Sequence, residues 1–177
     1  MIQDFLTIDY LEHGNELQQK VYHLLQHHQI LEKLKTYHPI VVGTIPIEIN
    51  IANSDIDIIG EIGDFEETAS ELIRKFSYFH QFRLEQKQNT ETSKILVCNF
   101  WIDEFEIEIY LENKNSINQN AYRHMFIEHK LLQKYDKTFR DEIIRLKQNG
   151  YKTEPAFAKV LHLKGDPYKA LLDFEIE

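Results

Sequence analysis

Asp55 and Asp57 flank a single isoleucine in the stretch "VVGTIPIEINIANSDIDIIGE", residues 41–61. In a β-strand, residues i and i+2 project to the same face, about 6.6 Å apart at a rise of about 3.3 Å per residue. The two carboxylates are therefore expected side by side, with Ile56 and Ile58 turned into the core. Aspartate is a poor strand former, and two adjacent like charges disfavour ionisation unless a cation lies between them. Divalent metal binding offsets that cost. Mg²⁺ is commonly held by one or two carboxylates together with substrate phosphate oxygens, which suits so short a set. The competing reading is a strand end that simply reaches solvent.

A third carboxylate would complete a two-metal site, and "FEIEIYL" (105–111) offers Glu106 and Glu108. Alternation puts both on the face opposite Phe105, Ile107 and Ile109, and spacing alone leaves the choice between them open. A half-exposed strand with a polar outer face gives the same pattern. Upstream, Gly43-Thr44 follows an apolar run. Glycine lets a phosphate approach the backbone, and the threonine hydroxyl and neighbouring N–H groups can donate to it. A plain turn after a strand is the bland alternative.

These groups need elements to position them. Leu17, Val21, Leu24, Leu25, Leu31 and Leu34 have helical spacing, so residues 15–36 form one long or one broken helix. A short strand at 39–43 and a second over "SDIDIIGE" follow. Asp64 and Glu67 have capping-box spacing ahead of a helix with the stripe Ala69, Leu72, Ile73, Phe76. Strands are expected at about 79–88 and 94–101, the latter turning through Asp103-Glu104 into 105–111 as a hairpin.

From 118 the pattern is helical only. Ala121, Tyr122, Met125, Phe126, His129 and Leu132 form one stripe, and Phe139, Ile143 and Ile144 another, stopped at Asn149-Gly150. Thr153 is the expected cap of a third helix, and Asp166-Pro167 opens a fourth. The chain thus divides into an α/β half, residues 1–113 with an N-terminal helix, and a C-terminal helical segment, 114–177, packed on it. The fold class is α+β.

Charge follows the same division. Residues 1–113 hold 8 Lys/Arg against 20 Asp/Glu, residues 114–169 hold 12 against 6, and the whole chain carries −9. Non-specific DNA binding is not expected of such a chain. Cys98 is the only cysteine and sits in the apolar run "ILVCNFW", which excludes an intramolecular disulfide and points to a buried strand residue. No apolar stretch approaches 18 residues and "MIQDFLTIDY" has no leader pattern, so a cytoplasmic protein without membrane association is expected.

The motif order resembles the nucleotidyltransferase superfamily related to DNA polymerase beta. Its pattern is a hydrophobic residue, Gly, then Gly or Ser, then acidic-hydrophobic-acidic after nine to thirteen residues, with a later acidic residue. Val42-Gly43-Thr44, Asp55-Ile56-Asp57 and a later Glu follow it, Thr44 standing where serine is usual. The stretches "GTIPIEINIANSDIDI", "FEIEIY", "QNAYRHMFIEHKLL", "FRDEIIRLKQNGYKTEPAFAKVL" and "GDPYKALL" further resemble a bacterial family within it, a domain of unknown function.

The resemblance implies a mixed-sheet nucleotidyltransferase-like core in which Asp55, Asp57 and Glu108, preferred to Glu106, hold Mg²⁺ or Mn²⁺. An NTP is the implied donor, and a hydroxyl of a small molecule, protein or RNA the acceptor. Gly43 and Thr44 would take the triphosphate. Arg123 and His124, which begin the first helix after the Glu108 strand, are candidates for phosphate or acceptor contacts, with exposed polar side chains or a capped core histidine as the alternative; Lys152, just before Thr153, could serve a triphosphate or be a plain exposed lysine. His23 and His27 share a helix face without a third ligand nearby, which favours a surface helix. Two other functions keep the same residues: an inactive nucleotide-binding or regulatory module, such as a toxin–antitoxin partner, and a metal-dependent phosphodiesterase.

Overall fold

The computed structural model describes residues 4–90 and 93–176, so the first three residues of the opening decapeptide lie outside the described residues. Helices α1 (Asp9–Glu12), α2 (Glu16–His27) and α3 (Ile30–Leu34) precede strand β1 (Ile40–Val42). The helical stretch expected at 15–36 is broken between α2 and α3, where Gln29 takes φ +53°. Asn15 opens α2 with a reciprocal capping box, its side chain accepting from Gln18 N–H and Gln18 Oε1 accepting from Asn15 N–H.

Strand β2 (Ile56–Glu61) leads into α4 (Phe65–Phe76), and then β3 (His80–Thr90), β4 (Ser93–Ile102) and β5 (Phe105–Glu112) follow. Among the described residues the five strands form one mixed sheet in the order β1-β2-β5-β4-β3. Consecutive hairpins lay β4 beside β3 and β5 beside β4, which carries β5 back to pair parallel with β2; the other three pairings are antiparallel. The Asp103-Glu104 turn closes Ile102 on Phe105, with Asp103 at φ +50°.

The polypeptide ends in α5 (Asn120–Lys134), α6 (Lys137–Gln148), α7 (Thr153–Val160) and α8 (Pro167–Leu172). Lys152, not Thr153, is the N-cap of α7; Thr153 is its first helical residue. The fold is α+β, with helices on both faces of the sheet.

Strand alternation sorts the core into two clusters. Ile56, Ile58, Cys98, Phe100, Ile107 and Ile109 face α2 and α4, where Leu24, Leu25, Leu72 and Phe76 meet them. Phe76 stacks on Phe100 at a centroid distance of 5.1 Å. Ile73, expected in the α4 stripe, is 48% exposed, because the helix turns Leu72 and Phe76 onto the sheet instead. On the opposite face Ile40, Val42 and Ile59 pack with Met125, Leu131, Ile143 and Phe157 of the C-terminal helices.

That second face also carries the polar residues of β2 and β5. In α5 the buried positions are His124, Met125, Glu128, Leu131 and Leu132. The inward face is thus rotated from the expected stripe: Ala121 is exposed, and Tyr122, Phe126 and His129 are partly buried. A carboxylate occupies a core position of that helix.

Candidate active site

Asp57 of β2 is the register partner of Glu108 of β5, across the parallel pair. Both are partly buried on the face toward the C-terminal helices, while Ile56, Ile58, Ile107 and Ile109 are buried on the other. Asp55 lies one residue before β2 and is exposed. It therefore sits on the loop entering the strand rather than in the strand, and still acts electrostatically on Asp57. Glu106 is held elsewhere, accepting from Arg83 Nη2 at 2.9 Å.

Asn99 on β4 is the register partner of Glu108 on its other side and donates Nδ2 to Glu108 Oε2 at 3.3 Å. Asn99 is missing from the residues singled out in the sequence. The hairpin that pairs Ile102 with Phe105 also pairs Asn99 with Glu108, so counting back from the turn would have found it.

Val42 pairs with Asp57, which places Gly43 directly above the aspartate. Gly43 has φ +80°, and a Cβ there would collide with Asp57 Oδ2. Glycine is thus required twice, by the left-handed backbone and by the closeness of the carboxylate. Thr44 Oγ1 approaches Ser54 Oγ at 3.5 Å, and the same Ser54 Oγ accepts from Ile51 N–H at 3.0 Å. The segment from Thr44 to Ser54 is a succession of turns without helix.

Gly43, Thr44, Asp55, Asp57 and Glu108 line one cleft of about 570 Å³ between the sheet and the C-terminal helices. His124 lines it as well. Its Nε2 donates to the Tyr168 carbonyl at 2.9 Å, and Nδ1 stands 3.5 Å from Glu154 Oε1. Arg123, one position round the helix from His124, is exposed and does not line the cleft; neither does the exposed Lys152.

Two lysines line the cleft among the described residues, the exposed Lys114 and Lys147 of α6; the second is buried. It is 7% exposed and donates Nζ to the Ile49 carbonyl at 2.7 Å. Glu128 of α5 and Glu154 of α7 complete the helical wall. Lys147 and Glu128 were both missed. Their signal is a charged residue at core spacing, Lys147 four after Ile143 and Glu128 three after Met125, each on a buried helix face.

The electrostatics follow from burial and crowding. The Asp57 carboxyl is held well above the usual range, first by burial, then by the charges of Asp55 and Glu108, with Lys147 opposing. Burial pushes Glu128 up to about 8, with Glu154 adding to the rise and Lys147 resisting it. Burial also lowers Lys147 to about 8, against the pull of Glu128, Asp57, Asp55 and Glu154.

The carboxylates beside Gly43 form a hard, all-oxygen donor set of the kind suited to Mg²⁺ or Mn²⁺. Their mutual repulsion is what a divalent cation would relieve. Among the described residues no three Asp, Glu, His or Cys side chains stand close enough together to hold a metal ion by themselves. Ions of this class fill the remaining positions with water and substrate phosphate.

Residues 23–174 match the family model described as a domain of unknown function, DUF4269. The chain belongs to this family. No protein of curated function matches the DUF4269 chain in sequence. Its fold is similar to that in the structure of the GLD-2/RNP-8 complex, with TM-score 0.53 and 20% identity over 86% of this chain and 60% of that one. It is also similar to the Cid1 poly(U) polymerase with MgGTP bound, with TM-score 0.56 and 13% identity over 81% and 48%. The polymerase core of TRAMP, an RNA surveillance complex, gives TM-score 0.51 and 13% identity over 89% and 49%.

The DUF4269 chain thus spans about half to three-fifths of the length of these chains. At such identities the likeness is one of fold alone. Among the described residues no helix is long and apolar enough to cross a membrane.

Proposed function

We propose that this DUF4269 protein is a metal-dependent nucleotidyltransferase that transfers a nucleoside monophosphate from an NTP to an acceptor hydroxyl. The observation that carries this reading is the register pairing of Asp57 with Glu108 directly beneath Gly43, at the floor of the cleft. A buried carboxylate set against a glycine turn and beside a second carboxylate is costly without a cation, which is what supports a functional over a purely structural role.

Asp55, Asp57 and Glu108 would hold Mg²⁺ or Mn²⁺, with Asn99 orienting Glu108 through its amide. The bound ions would supply charge neutralisation for the phosphates and a lowered pKa for the acceptor hydroxyl. Gly43 leaves room for the Asp57 carboxylate against the turn, and the Thr44 hydroxyl with the neighbouring backbone N–H groups would donate to phosphate oxygens. Lys147 contributes positive charge to the same space, in the role the sequence suggested for Lys152. The acceptor oxygen bonds to the α-phosphorus as the bond to pyrophosphate breaks, and the walls of the cleft hold the two in line. The acceptor is a small molecule, a protein or an RNA.

The test is thermal unfolding with each NTP, with and without Mg²⁺ or Mn²⁺, together with an assay for pyrophosphate release. An NTP at 100 times its Kd stabilises a protein by about 2.7 kcal/mol. The shift is expected only when metal and NTP are both present, and is expected to vanish in Asp57→Asn. Melting insensitive to every combination overturns the proposal. Nucleotide binding that needs no metal and survives Asp57→Asn assigns an inactive module, and hydrolysis of a phosphodiester probe assigns the phosphodiesterase.

A further inference from the structure

The helical wall of the cleft holds a carboxyl group that the phosphate chemistry leaves unused. Glu128 is 3% exposed, lines the cleft, and its Oε1 has no hydrogen-bond partner among the described residues. Buried polar atoms in native proteins are almost always paired, so an orphaned buried acceptor in the wall of a cleft points to a donor that arrives with the ligand. The surroundings narrow the class of that donor. Glu154 lines the same wall and adds negative potential at Glu128, while the nearby Lys147 already donates to the Ile49 carbonyl. The His124 ring is committed between the Tyr168 carbonyl and Glu154. A phosphate or a carbonyl edge brings only acceptors and can take no more than the single O–H of the protonated carboxyl, which leaves its acceptor lone pairs unmatched. An amino group brings N–H donors, and its partial positive charge suits two neighbouring carboxyl groups.

We propose that Glu128 is a specificity residue of this cleft and binds an amino group of the substrate through Oε1. The proposal rests on the nucleotidyltransferase reading for its first source of that group, the exocyclic amine of a nucleobase, which would favour an amino-bearing nucleotide over UTP. The same chemistry fits an amine on the acceptor, and the two sources are separable. Glu128 touches the substrate away from the reacting phosphorus and takes no part in bond making.

The experiment is calorimetric titration of the whole protein and of its Glu128→Met and Glu128→Gln variants. One arm uses non-hydrolysable ATP, CTP, GTP and UTP with Mg²⁺; the other uses spermidine as an amine probe. Melting curves of each variant verify folding, and removal of a buried carboxyl is compatible with it. In the nucleotide arm the wild type is expected to bind at least one amino-bearing nucleotide at least tenfold tighter than UTP. Glu128→Met loses that ratio, and Glu128→Gln, which keeps an oxygen acceptor, retains the order. If all four nucleotides bind alike while spermidine binding falls at least tenfold in Glu128→Met, the amine belongs to the acceptor. Unchanged ratios in the first arm and unchanged spermidine affinity in the second overturn the proposal. Failure of the nucleotidyltransferase reading looks different: no nucleotide binds the wild type at all, and the spermidine arm alone then decides Glu128.

Discussion

The α-carbon of Gly43 lies so close to the Asp57 carboxylate that a methyl group added there would strike Oδ2. The glycine also takes φ +80°, a conformation that side chains disfavour. These two costs can be separated. Gly43→Ala is expected to lower stability by about 1–3 kcal/mol from strain alone, with a further loss from displacing Asp57. In an Asp57→Ala background the second loss disappears, so a double-mutant cycle by urea unfolding is expected to show a coupling of about 0.5–3 kcal/mol. Strict additivity would mean that the clash is absorbed elsewhere.

Like charges at Asp55, Asp57 and Glu108 make the unliganded cleft a source of repulsion. Asp57→Asn is therefore expected to raise the melting temperature of the metal-free protein while abolishing stabilisation by Mg²⁺ with NTP. Chelator-treated protein measured by calorimetry, with and without added ion, is the check. A variant that melts lower than wild type without metal would contradict the repulsive arrangement.

The two glutamates of β5 have opposite fates. Glu106 pairs with Arg83, whose side chain is 59% exposed, so Glu106→Gln is expected to cost at most about 1 kcal/mol and leave nucleotide binding intact. Glu108→Gln is expected to remove metal-dependent nucleotide binding. Parallel titrations of the two folded variants with NTP and Mg²⁺ decide between them.

Stability of the metal-free protein is expected to pass through a minimum near pH 8. Glu128 has its folded pKa raised from 4.5 to about 8, so the native state binds more protons and stability falls across that window as pH rises. Asp57, also raised, adds to the falling limb. Lys147 is lowered from 10.5 to about 8, so above pH 8 the unfolded chain binds more protons and stability recovers. Urea midpoints between pH 5 and 10 test this, and Glu128→Gln is expected to flatten the falling limb.

Thr44 tests the phosphate cradle. Thr44→Ser keeps the hydroxyl and is expected to bind NTP as wild type does, whereas Thr44→Val is expected to weaken binding by about 1–3 kcal/mol, the scale of a hydrogen bond to a charged group. Equal affinities for Thr44→Val and wild type would remove that hydroxyl from the site.

Local periodicity carried much of this architecture, because strand alternation and helix spacing are short-range consequences of burial. The alternation of "FEIEIYL" put Glu106 and Glu108 on one face, and the structure has that alternation in full. Cys98 is buried in its strand, as its apolar neighbours required. The order Gly43-Thr44, Asp55, Asp57 was legible for the same reason, since a turn and the strand that follows it lie close along the chain. The choice between Glu106 and Glu108 was not contained in their spacing. Parallel pairing between β2 and β5 spans α4 and two further strands, and only that register sets Glu108 against Asp57 while Arg83 captures Glu106. The helical wall was hidden for a related reason. Lys147 and Glu128 look like ordinary polar residues until α5 and α6 rotate them against the sheet, because a helix declares its inward face only through what it packs on. Sequence periodicity therefore determined the elements and the catalytic candidates of the strands, and long-range packing decided which charges meet across the cleft.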